Sequence, residues 1–86
     1  MTYRHITRGV CSRCIDIDMD ENHIVRAVAF TGGCHGNTQG VAALAKGQKA
    51  EDVIARLKGI RCGFKPTSCP DQLATALERM LKELDK

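Results

Sequence analysis

Apolar and polar residues alternate without a break from Cys14 to Asp20. Ile15, Ile17 and Met19 fall on one parity; Asp16, Asp18 and Asp20 fall on the other. Side chains of an extended chain alternate between faces, so this run predicts a half-buried strand with its acids on the wet face of a sheet. Tyr3 to Val10 predicts a strand before it, and the β-branched run Ile24 to Phe30, IVRAVAF, predicts one after it. Between the second and third runs, Asp20-Glu21-Asn22-His23 supplies turn residues, so these two strands are expected to pair as a hairpin.

The period then changes to that of a helix. Thr38 to Lys46 brings Val41, Leu44 and Ala45 to one side and meets a stop at Gly47. Ala50 to Lys58 does the same with Val53, Ile54 and Leu57, and stops at Gly59. A last helix is predicted from about Pro70 to Leu84, with Leu73, Leu77, Met80, Leu81 and Leu84 as its apolar stripe. Pro70 suits the first helical position, where no N–H is needed, and Thr67 or Ser68 is placed to cap. Strands followed by helices imply an α+β domain: a small antiparallel three-stranded sheet with three helices on one face. The chain has 86 residues and no repeat, low-complexity segment or linker, so residues 1–86 read as one domain.

Composition narrows the source of stability. There is no Trp, one Tyr and two Phe, so aliphatic side chains must build the core. A domain this small buries only about 60–65% of the surface its unfolded chain exposes. A bound metal is a common remedy. The net charge of +3 comes from 13 basic and 10 acidic residues of alternating sign. No basic cluster with stacking aromatics stands out, and no nucleic-acid partner is expected. No apolar run is long enough for a membrane span, and MTYRHITRGV lacks the apolar segment of a signal peptide. The expected location is the cytoplasm, where thiols stay reduced.

Five cysteines in such a compartment point to metal or thiol chemistry. Cys11, Cys34, Cys62 and Cys69 stand at junctions between elements, and junctions cluster at the ends of a sheet. Cys14 instead shares the phase of Asp16. Zn²⁺, or iron in an Fe–S cluster, takes about four thiolate or imidazole ligands. Helix starts near Cys34 and Cys69 would stabilise the thiolate. Spacing also offers Cys11-x-x-Cys14 as half of a zinc knuckle, and His35 beside Cys34 as a ligand, but no second C-x-x-C completes that pattern. The glycines of GGCHGNTQG match neither the phosphate-loop nor the dinucleotide pattern.

At GVCSR, FTGGCHGNTQG, LKGIRCG and TSCPDQLATAL, over nearly its whole length, the chain resembles the TSCPD-domain family of small four-cysteine proteins. The resemblance places the family's cysteines at Cys11, Cys34, Cys62 and Cys69 and makes Cys14 an extra. That family resembles the C-terminal domain of cobalamin-dependent ribonucleotide reductases, so a ribonucleotide reductase is an implied partner. The large reductase barrel is absent, so the chain is not expected to catalyse ribonucleotide reduction alone. If it acts as an enzyme, it is expected to be a thiol-redox component of ribonucleoside-diphosphate reductase, with Cys11 and Cys14 as the redox pair. The order of Cys11, DENHIVRAVAFTGGC, ALAKGQKAEDVIARL and SCPDQLATAL is also similar to U-type iron–sulfur scaffold proteins. That second resemblance implies cluster binding at Cys11, Cys34 and Cys69 and an iron–sulfur acceptor protein as partner.

Overall fold

Strand β2 (Ser12–Met19) is the middle of an antiparallel sheet, with β1 (Thr2–Ile6) on one side and β3 (Val25–Gly32) on the other. Helices α1 (His35–Ala45), α2 (Ala50–Leu57) and α3 (Cys69–Leu84) follow in chain order. This is the α+β arrangement that the periodicities predict. The computed structural model describes residues 1–10, 12–33, 35–61, 63 and 65–84; of His35 only the backbone is described. Among the described residues, no helix is long and apolar enough to cross a membrane.

The alternation in β2 is realised as expected. Ile15, Ile17 and Met19 are buried, while Asp16, Asp18 and Asp20 remain half-exposed. The acids are paired on the wet face: Asp16 with Arg4 at 2.8 Å, Asp18 with the N-terminal amine at 3.7 Å, and Asp20 with Arg26 at 3.3 Å. Such exposed pairs contribute little to stability. Asp20 also organises the hairpin turn. Its Oδ1 accepts the amide protons of Asn22 at 2.9 Å and Ile24 at 3.0 Å. The Ile24 amide is the main reason that the Asp20 carboxyl sits below its usual range. The first strand ends at Ile6 rather than Val10. There the chain turns back, closed by a bond from the Thr7 amide to the Arg13 carbonyl at 3.1 Å.

Helix α2 starts at Lys49 without a side-chain cap. The carbonyl of His23 accepts the Ala50 amide at 2.7 Å instead, so the hairpin turn satisfies an amide that the helix itself leaves open. His23 Nδ1 also meets Glu51 at 2.7 Å. Ile15, Met19, Leu73, Leu77 and Met80 form the centre of the core, each fully buried. Burying each of these side chains stabilises the fold by about 1.5–3 kcal/mol.

One expected core position is corrected. Leu44 is 80% exposed, whereas Thr38 and Ala45 are buried and Val41 is half-buried. At about 100° per residue, Leu44 falls roughly a quarter turn from the axis of Thr38, Val41 and Ala45. Burying Thr38 therefore rotates Leu44 outward. Leu84, at the end of the α3 stripe, is 37% exposed.

Candidate metal centre

Helix α3 begins at Cys69, one residue before Pro70. Ser68 is the N-cap: its Oγ accepts the Asp71 amide proton at 3.2 Å and donates to the Ile60 carbonyl at 2.6 Å. One hydroxyl thereby caps the helix and ties down the chain that leaves α2. Pro70 lies in the first turn, where its missing N–H leaves no gap.

Around this cap runs a directed polar network. His5 Nε2–H donates to Gln72 Oε1 at 2.9 Å, Gln72 Nε2–H donates to Thr67 Oγ1 at 3.1 Å, and the Thr67 hydroxyl donates to Asp71 Oδ2. The Gly59 amide donates to Asp71 Oδ1 at 2.7 Å. With the Gln72 carbonyl facing Nε2, the imidazole proton is assigned to Nε2 and Nδ1 is left as an acceptor. His5 is 3% exposed, and its Nδ1 has no hydrogen-bond partner among the described residues. The only trace of His5 in the sequence is a parity shared with Tyr3 in the first predicted strand.

Asp71 is the charged end of the network. Partial burial opposes its charge, but the Thr67 and Gly59 donors and nearby Lys58 outweigh that cost and hold its carboxyl below its ordinary value of 3.8. A depressed carboxylate contributes stability above its unfolded pKa and loses it as pH falls through the folded value. Asp71→Asn should therefore lower the melting temperature at neutral pH. The deficit should shrink as both proteins are melted at pH values below 3.8. A pH-independent difference would assign the effect to packing rather than to charge.

Cys69 itself is 6% exposed, and its Sγ lies 3.3 Å from the Oγ of Ser12. A regular strand would place Ser12 on the same face as Cys14. A bulge between Ser12 and Cys14 changes the phase, so Ser12 is buried while Cys14 stays half-exposed. The Ser12 carbonyl accepts the Thr7 hydroxyl, which fixes the turned-in segment. Gly33 passes closely over Ser12. Its φ is +83°, and a Cβ there would come within 3.2 Å of the Ser12 Cβ and amide nitrogen. Only glycine meets both demands without strain.

Three junctions thus meet the start of α3. The β1–β2 turn arrives through Ser12, the exit of β3 through Gly33 against Ser12, and the chain after α2 through Gly59 and Ile60. Ser12 and Gly33 are the chain neighbours of Cys11 and Cys34, and Ile60 is two residues before Cys62. Cys11, Cys34 and Cys62 themselves lie outside the described residues. Among the described residues, no three His, Cys, Asp or Glu side chains group to hold a metal ion. Cys14 is partnered with Ile6 across the β1–β2 ladder, on the parity of Asp16, as its strand phase predicts.

The family model described as the TSCPD domain matches residues 1–81. No curated protein and no solved structure matches the chain significantly.

Proposed function

The chain belongs to the TSCPD-domain family, and from that premise we propose that it is a small cytosolic module holding Zn²⁺ through Cys11, Cys34, Cys62 and Cys69. The observation that carries this reading is the contact of Ser12 Oγ with the buried Cys69 Sγ at 3.3 Å. It brings the residue after Cys11 against Cys69, two sites 57 positions apart. The donor chemistry fits. Four thiolates make a closed, soft shell of the structural type. Cys69 lies in the first turn of α3, where the helix dipole favours an anion. A thiolate at Cys69 accepts only, so Ser12 donates its proton to it. The bound ion supplies cross-links between loops that the small aliphatic core does not.

The module is accessory rather than catalytic by itself. The family resemblance makes the large subunit of a ribonucleotide reductase the first partner to test. Protein purified without oxygen should be colourless and contain about one zinc per chain. Chelation should lower its melting temperature, because a ligand bound only by the folded state adds to stability. A brown protein with iron and sulfide would replace zinc by a cluster on the same cysteines. Metal-free protein whose melting curve ignores added zinc would remove the reading altogether.

Ser12→Ala should weaken zinc by about 10–100-fold, the usual effect of removing a hydrogen bond to a ligand. Chelator competition measures it. Unchanged affinity would reduce the Ser12 contact to packing.

A further inference from the structure

Five exposed residues lie in the segments that meet at the end of the domain where α3 begins and form a collar there: Arg8, Arg13, Ile60, Arg61 and Lys65. Hydrogen bonds hold their segments together. The Thr7 amide reaches the Arg13 carbonyl at 3.1 Å, and the Arg8 amide reaches Gln72 Oε1 at 3.4 Å. Ser68 holds Ile60 at 2.6 Å. Ile60 is 42% exposed.

Charge is unevenly distributed over the molecule. Among the described residues, none of the four collar cations is ion-paired, whereas Arg4, Arg26 and Lys58 are neutralised by Asp16, Asp20 and Glu78. The carboxylate at this end, Asp71, is already engaged by Thr67 and Gly59. The positive end of the α3 dipole adds to the local field. Acids gather instead at the far end, with Asp18 beside the N-terminus, Asp20 in the hairpin turn and Glu51 beside His23.

We infer that this collar docks an acidic polypeptide segment carrying an aliphatic anchor. Carboxylates of the partner meet the four cations, and an aliphatic side chain covers Ile60. Complementary charge steers such an encounter and sets its specificity. A nucleic acid is the poorer match, because its charged backbone offers nothing to cover the exposed Ile60. The inference does not depend on a metal at the cysteines.

The test is fluorescence anisotropy of a labelled synthetic peptide of alternating Glu and Leu, titrated with the full chain as purified, with metal content measured alongside. Saturable binding that weakens as salt is raised is expected. Charge reversal by Arg13→Glu with Arg61→Glu should weaken it by about tenfold or more without loss of metal. Ile60→Ser should weaken it at every salt concentration. Lys82→Glu, on the last turn of α3, should change it by less than about twofold. No saturable binding would overturn the inference, as would equal binding of a Lys–Leu peptide. Tighter binding of oligothymidylate would make the collar a nucleic-acid surface. Self-association in sedimentation, abolished by the same reversals, would make the occupant a second copy. Loss of metal in the reversed variants, with no peptide bound by the parent, would make the collar a counter-charge for the thiolates.

Discussion

Cys62→Ser should empty the proposed zinc site, while Cys14→Ser leaves it filled. Local spacing makes Cys14 the natural companion of Cys11, but the structure sets Cys14 on the parity of Asp16, across from Ile6 and away from the buried face that holds Cys69. The chain before Cys62 is instead drawn to the start of α3 by the Ser68–Ile60 bond. Zinc per chain should fall from about one to near zero in Cys62→Ser, and the melting temperature should fall with it. Cys14→Ser should stay within about 0.5 kcal/mol of the parent, as substitutions away from buried features do. The reverse outcome would be as informative. It would make the ligands Cys11, Cys14, Cys34 and Cys69, a knuckle built on the first turn.

Leu77→Ala should be among the most damaging single changes in the apolar core. Leu77 is fully buried in the middle of α3, among the residues that cover the sheet. Truncating such a side chain costs about 2–5 kcal/mol, through lost transfer energy and the cavity left behind. A chain of 86 residues has about 4–13 kcal/mol in total at typical values per residue. The variant should therefore lose a large share of its stability, read as a clearly lower urea midpoint. Leu44→Ala is the matched control: the same atoms are removed from a side chain that is 80% exposed. Its urea midpoint should stay close to that of the parent. Equal losses in the two variants would show that α1 buries Leu44 in solution.

If zinc binds as proposed, it is coupled to the core through α3. Ser68 caps α3 through Asp71 and holds Ile60, so tightening the cysteine end stabilises the helix that supplies Leu73, Leu77 and Met80. Metal removal should therefore be felt along the whole of α3 in hydrogen exchange, beyond the loops near the cysteines.

The apolar sides of β2 and α3, the hairpin turn and the cap at Ser68 were all legible in the residues. In each case the cause is local. Backbone geometry alone puts Ile15, Ile17 and Met19 on one face, and the Ser68 hydroxyl bonds an amide three residues away. Family membership was legible too, because it rests on motifs such as TSCPDQLATAL. The polar site was not. Ser12 meets Cys69 across 57 positions, and His5 meets Gln72 across 67, so neither pair leaves a trace in any window of sequence. The bulge that turns Ser12 inward shifts the strand by a single residue, and a one-residue slip reverses faces without altering the local pattern. The outward rotation of Leu44 likewise depends on the burial of Thr38. Periodicity determined which elements form and which faces are apolar. Only tertiary packing decided which loop ends meet, because that depends on how the helices return across the sheet.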